Sequence, residues 1–272
     1  MRRTTQTAMG EDEDMTSTTS PAVRPGTEPF SSDGGTVGVL LSHGFTGSPA
    51  SMVPWAKQLA GLGHTVRVPR LPGHGTTWQE LNSTRWDAWY GEVDAALTEL
   101  RTRCDHVVVA GLSMGGCLAL RLAEQRPDDV DALVLVNPAV NLARFDLKLL
   151  PALKLLLPSL PGIGNDIKRP GQDEIGYDRT PLKALASQLQ MWRATRDDLG
   201  KVTQPLLVFK SDEDHVLDGT SVDLIRRGVA SVVTEYVPLP DSYHVATIDN
   251  DDRLIFDRTA AFIDEHVGGR RD

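Results

Sequence analysis

The chain has 272 residues, 40% of them hydrophobic and 24% charged, a balance that suits a globular protein with one large α/β core. Its 28 basic residues stand against 37 acidic ones, a net charge of −9 that argues against nucleic acid or an anionic membrane as a general electrostatic partner. Its two cysteines, Cys104 and Cys117, imply no disulfide framework and lack metal-ligand spacing, and no apolar run approaches the roughly 18 residues of a spanning helix.

Residues 1–28 are rich in Thr, Ser, Pro and acids, and no apolar stretch follows Arg2 and Arg3. They are expected to form a disordered tail without a secretory signal, ahead of a single cytoplasmic domain over 29–272. From residue 36 short apolar runs rich in Val and Leu recur between turn residues. They fall at Val37–Leu41, His64–Val68, His106–Ala110, Ala132–Val136, Gln204–Phe209 and Val232–Val237. Near-continuous runs of this kind predict strands buried on both faces. Helical patterns lie between them at Pro54–Leu62, Arg85–Arg103, Met114–Gln125, Leu182–Arg196, Gly219–Val229 and Asp251–Val267. The alternation predicts an α/β fold, with a mainly parallel sheet and helices on both sides. Between Asn137 and about Thr180 the rhythm fails. Leucines crowd around Pro151, Pro158 and Pro161, with no clear strand, so a small helical cap is expected at about 140–180. Its apolar excess suits an acyl chain, and equally suits packing onto the body.

Ser113 lies in Gly111-Leu112-Ser113-Met114-Gly115-Gly116, directly after the third strand run. A G-x-S-x-G sequence leaving a strand and opening a helix presents a serine hydroxyl on a tight turn, with free helix N–H groups close by. Such a serine needs a base, and the base needs an acid to orient it. In α/β-hydrolases, which this elbow resembles, these follow in the order serine, acid, histidine. Lys210-Ser211-Asp212-Glu213-Asp214 follows one late strand, and Asp241-Ser242-Tyr243-His244 follows the last. Both loops leave strand C-termini, the edge where open parallel sheets place their sites. His244 is the candidate base. Of the other histidines, His64 and His106 open strands at the opposite edge, and His266 is expected to be exposed on the terminal helix. His43 and His74 precede the serine, and His215 adjoins the acid, where it would shape the loop. Asp214 is favoured as the acid because it closes its turn, with Asp212 as the alternative. An oxyanion needs two N–H donors. Met114 follows the nucleophile, and Phe45 in Ser42-His43-Gly44-Phe45-Thr46-Gly47 follows the first strand run.

These pieces, with Gly73-His74-Gly75, Trp86 and Trp89, and the tail His244-Val245-Ala246-Thr247-Ile248-Asp249, resemble the α/β-hydrolase superfamily. More narrowly, residues 28 to 268 resemble small bacterial carboxylesterases and monoacylglycerol lipases. The resemblance departs at Ser211, where glycine is frequent three residues before the acid. It implies a Ser113–Asp214–His244 triad, Phe45 and Met114 as oxyanion donors, and acyl transfer without a metal or organic cofactor. The implied substrate is a small acyl ester with a short or medium chain, monoacylglycerols included. A thioesterase or acyltransferase using the same triad, or a catalytically silent ligand-binding relative, are the competing readings. The cap would make transient contact with a lipid interface, and its apolar surface would also suit a dimer.

Overall fold

The computed structural model describes residues 21–142 and 149–267. Its centre is a seven-stranded sheet built from β1 (Phe30–Ser32), β2 (Val37–Ser42), β3 (Thr65–Val68), β4 (His106–Leu112), β5 (Ala132–Val136), β8 (Leu206–Ser211) and β9 (Thr234–Leu239). The order across it is β1-β3-β2-β4-β5-β8-β9, and only the β1–β3 pair is antiparallel. The α/β-hydrolase expectation is therefore met in topology.

Period-two alternation divides the central strands between two cores. In β4, Val107 and Val109 point to one face, while Val108, Ala110 and Leu112 point to the other. The first face is covered by α3 (Trp86–Arg101), α4 (Met114–Gln125), α6 (Leu182–Asp198) and α7 (Thr220–Gly228). The second is covered by α1 (Val53–Gly61) and α8 (Asp252–His266), whose Trp55 and Phe256 rings stack 6.3 Å apart. Each fully buried large aliphatic side chain in these layers contributes roughly 1.5–3 kcal/mol.

Four local features differ from the sequence reading. The edge strand β1 is too short to carry a pattern, and forms because Phe30–Ser32 finds the free edge of β3. A short helix, α2 (Trp78–Ser83), follows Thr77, whose hydroxyl accepts the Glu80 N–H at 3.2 Å. The last strand begins at Thr234, not Val232. Pairing with β8 starts at Leu206↔Thr234, and Val232 is left 95% exposed. Finally, the cap region is not free of strands. It contains α5 (Leu150–Leu156) and a two-stranded antiparallel ladder of β6 (Ser159–Pro161) and β7 (Arg179–Pro181). Phe145 and Leu147, apolar residues within the expected cap, lie outside the described residues.

Part of the expected tail is packed. Arg24 N donates to Gly75 O at 2.8 Å, its guanidinium reaches Gly176 O at 3.0 Å, and Thr27 is fully buried. Residues 1–20 lie outside the described residues.

Parallel register brings the site together. Ser42 pairs with Gly111, Leu112 with Val136, Val136 with Phe209, and Ser211 with Leu239. Five strands thus end along one lip, and the loops leaving it carry His43–Gly47, Ser113, Asn137, Asp214 and His244.

Candidate active site

Ser113 sits between β4 and α4 at φ 55° and ψ −115°, in the left-handed region that a residue with a Cβ avoids. The glycines around it allow this close packing. A Cβ on Gly111 would fall 2.2 Å from the Gly115 backbone, and one on Gly115 would fall 2.0 Å from Ser42 O. The turn is held from three sides. Ser113 N donates to Val136 O at 3.0 Å, and Ser113 O accepts from Gly116 N and Ala139 N, each at 3.0 Å. Cys117, one turn into α4, is a buried core thiol that burial pushes up to about 12.

The loop after β2 approaches this serine. A Cβ on Gly44 would lie 3.4 Å from Ser113 Cβ, so glycine leaves that space open. His43 is fully buried, and its Nε2 accepts the Leu71 N–H at 3.3 Å. Its Nδ1 therefore carries the hydrogen and donates to Gly44 O at 3.0 Å. Burial lowers the His43 imidazole to about 4, which keeps it neutral in this support. The His74 ring meets His43 at 5.0 Å and Trp89 at 5.7 Å, and the Phe45 ring meets Trp89 at 5.9 Å. Burial and the neighbouring His43 hold His74 well below the ordinary histidine range. Among the described residues, neither the Phe45 N–H nor the Met114 N–H takes a hydrogen-bond partner.

His244 and Asp214 meet directly, with His244 Nδ1 3.0 Å from Asp214 Oδ2. Asp214 Oδ1 accepts two backbone N–H groups, from Val216 at 3.0 Å and Leu217 at 2.8 Å. Burial pushes the Asp214 carboxyl up, but the hydrogen bond and charge of His244, followed by Lys210, hold it well below the usual carboxylate range. Asp212 and Glu213 are exposed, and neither contacts His244. His215 shapes the loop as expected, its Nδ1 lying 2.7 Å from Asp166 Oδ1. His106 is tied to Asp131 at 2.9 Å, at the far end of β4. His266 differs from expectation. Its side chain is only 16% exposed, because α8 turns it onto Phe262 with ring centres 4.6 Å apart.

Several polar residues that the sequence reading did not single out build the same place. Asn137 has φ 43° and spans three loops, donating to Ser211 Oγ at 2.9 Å and to His244 O at 2.8 Å. Ser211 in turn donates to Tyr243 O at 2.8 Å, so the residue standing in place of glycine has a structural use. Its φ is not positive, and the backbone there does not require glycine. Asp166, from the cap, accepts the His244 N–H at 3.1 Å and the His215 N–H at 3.2 Å. Asp249 is fully buried and takes four N–H groups, from Lys168, Arg169, Tyr243 and Asn250, at 2.7–2.9 Å. It ties the cap's return segment to the loop of His244. On the opposite side, Tyr177 N donates to Thr46 O at 2.9 Å and its hydroxyl donates to Gly73 O at 2.8 Å.

Ser113 and His244 line one cavity of about 220 Å³ beneath the cap. Its lining includes the apolar Leu142, Leu160, Ile163 and Leu185 and the acidic Glu174 and Asp166. Burial pushes the Glu174 carboxyl up. Elsewhere, Glu235, Glu265 and His266 bring ligand-type atoms within 4.8 Å of one another, but Arg258 already binds Glu235, and none of the three lines the cavity.

The serine aminopeptidase S33 family matches residues 37–251. The thermostable monoacylglycerol lipase of Bacillus sp. (strain H-257) is 40% identical over 90% of this chain and 98% of its own length. A carboxylesterase of Bacillus subtilis (strain 168) is 23% identical over 88% of this chain and 96% of its own. Among solved structures, one from the pair LipS and LipT, two metagenome-derived lipolytic enzymes, superposes with a TM-score of 0.87 at 41% identity, covering 90% of this chain and all of that one. The monoacylglycerol lipase of Paleococcus ferrophilus, 19% identical, shares the fold with a TM-score of 0.73 over 88% of this chain and 99% of its own. With a family match across most of its length and relatives near 40% identity, this chain belongs to the serine aminopeptidase S33 family of α/β-hydrolases and stands with its carboxylic-ester hydrolases.

Proposed function

We propose that the protein cleaves short- or medium-chain acyl esters, monoacylglycerols among them, through a Ser113–His244–Asp214 triad and an acyl-enzyme. The observation that carries this reading is the His244 Nδ1–Asp214 Oδ2 bond, with the His244 ring and Ser113 on the wall of one cavity. With Nδ1–H donated to Asp214, His244 Nε2 is left with its lone pair. It takes the Ser113 proton as Oγ attacks the ester carbonyl carbon. The Phe45 and Met114 N–H groups receive the oxyanion, each worth roughly 3 kcal/mol in the transition state. His244 returns the proton to the leaving alkoxide and the alcohol departs. Water then attacks the acyl-enzyme and gives its proton to His244; as the acyl carbon–Oγ bond breaks, His244 passes that proton to Ser113 Oγ, and the carboxylic acid is released.

The mixed lining of the cavity supports the substrate class. Leucine and isoleucine suit an alkyl chain, and the buried carboxyl groups of Glu174 and Asp166 suit an alcohol that keeps free hydroxyls. The described cap residues 149–180 contribute Leu160, Ile163 and Thr180 to the cavity lining and serve as its lid. Leu155 and Leu156 on α5 are 80% and 79% exposed, which supports contact with a lipid interface. None of the described helices is long and apolar enough to cross a membrane.

The test is a substrate series for the purified protein: monoacylglycerols of graded chain length, p-nitrophenyl esters of the same acids, and the matching CoA thioesters. The reading expects kcat/KM to be highest on oxygen esters and at least as high on monoacylglycerols as on simple alkyl esters. Preference for thioesters would overturn it in favour of a thioesterase. No turnover of any acyl compound would favour a silent binding protein.

A further inference from the structure

The acid of the proposed triad is shared between two nitrogen donors. Asp214 Oδ2 accepts from His244 Nδ1 at 3.0 Å and from Lys210 Nζ at 2.7 Å, while Oδ1 is occupied by the N–H groups of Val216 and Leu217. The Asp214 side chain is 2% exposed and that of Lys210 is 24% exposed. Lys210 is the fifth residue of β8, paired in register with Pro238 of β9, four residues before the acid. Exposed Asp212 and Glu213 stand nearby in sequence, yet the ammonium is spent on the buried carboxylate.

We propose that Lys210 is a positioning residue for the ester-cleaving reaction, its ammonium fixing Asp214 Oδ2 and dividing that oxygen's charge with His244, so that the base stays available at lower pH than Asp214 alone would allow. This rests on the triad reading above. With His244 neutral, Lys210 is the cation bonded to Asp214 among the described residues, and it keeps a buried carboxylate ionised between turnovers. When His244 takes the Ser113 proton, Oδ2 faces two cations, and the ammonium opposes the imidazolium that Asp214 favours. Lys210 thereby secures the acid and tempers its pull on the base.

Other charges face this group from each neighbouring element. The cap contributes Asp166, which bonds the His244 N–H, and Glu174, which lines the same cavity as His244. The acid loop contributes Glu213 and His215. Asp212, Arg226 of α7 and Tyr236 of β9 line the groove around Lys210, with the Arg226 guanidinium 4.1 Å from the centre of the Tyr236 ring. Lys210→Arg keeps the cation among these same groups, so its comparison with Lys210→Met separates the charge at 210 from theirs.

The experiment compares kcat/KM against pH on one p-nitrophenyl ester for the wild type, Lys210→Met and Lys210→Arg, with Ser113→Ala as a parallel arm. In Lys210→Met the midpoint of the acid limb rises by about half to one pH unit, while Lys210→Arg, which keeps the cation, stays near the wild type. If Lys210→Met does not fold, as judged by circular dichroism and its melting temperature, Lys210→Gln carries the same comparison. An unmoved midpoint, or equal movement in Lys210→Arg, overturns the role of Lys210 and leaves the triad standing. Turnover by Ser113→Ala at the wild-type rate overturns the triad, and the proposal with it.

Discussion

Replacing Asp214 by Asn is nearly isosteric and reverses one hydrogen bond. The amide oxygen can keep the Val216 and Leu217 N–H groups, at 3.0 and 2.8 Å. The amide NH2 then faces Lys210 Nζ and His244 Nδ1, at 2.7 and 3.0 Å. The ring can meet that NH2 only by presenting a bare Nδ1, which moves its hydrogen to Nε2 and removes the lone pair that would accept the Ser113 proton. The expected loss in kcat is about 10⁴-fold, or about 5.5 kcal/mol of transition-state stabilisation. Stability also falls, because Lys210 loses its anion at a site where Asp214 is 2% exposed. Removing one partner of such a pair costs about 3 kcal/mol. The pH dependence has a definite sign. A carboxyl held below its ordinary value of 3.8 contributes stability that is present above that pH and is lost as pH falls beneath it. The gap between wild type and Asp214→Asn in urea unfolding is therefore full at neutral pH and shrinks as pH falls below about 4. Steady-state ester hydrolysis and urea titrations read both effects, with Asp212→Asn, an exposed control, within twofold of wild type. Asp214→Asn retaining kcat within tenfold of wild type would refute the tautomer argument.

Asp249→Ala leaves four backbone N–H groups without their acceptor, so unfolding free energy should fall by about 4 kcal/mol in chemical denaturation. A loss under 1 kcal/mol would mean that water replaces the carboxylate. Folded His43 accepts a proton only near pH 4, whereas its unfolded form does so near 6.5, so the unfolded state gains protons first as pH falls. Stability is thus full above pH 6.5 and declines toward pH 4 by about 3 kcal/mol from His43 alone. A urea midpoint that stays flat between these values would contradict its neutral burial. Replacing Leu155 and Leu156 by serine should lower turnover of emulsified monoacylglycerol several-fold while leaving a water-soluble ester unaffected. Equal loss on both substrates would place these leucines in cap packing.

The layers of the fold were legible because burial on both faces leaves long apolar runs. The helix Met114–Gln125 was read to its boundaries, since the elbow glycines mark its start and Pro127 its end. The edge elements were not legible. Phe30–Ser32 has no periodicity in three residues, and Thr234–Leu239 alternates too weakly to reveal that Val232 lies outside it. The capping pattern Thr77-Trp78-Gln79-Glu80 was a usable signal for the missed α2. At the site, elbow geometry and chain order were enough to nominate Ser113, His244 and Asp214. The groups that hold them were not, because their contacts cross long stretches of chain. Asn137 reaches His244 across 107 residues and Asp166 reaches it across 78, with no local pattern to mark an acid or amide for that use.

The central claim is that the Ser113 hydroxyl forms a covalent bond to the acyl carbon. Its most direct measurement is peptide mass mapping after reaction with a fluorophosphonate, alongside ester hydrolysis by Ser113→Ala. The account predicts one adduct, on the peptide carrying Ser113, blocked by prior incubation with substrate and accompanied by loss of turnover, with both labelling and turnover absent in Ser113→Ala. An adduct on another residue, or wild-type turnover by Ser113→Ala, would contradict it.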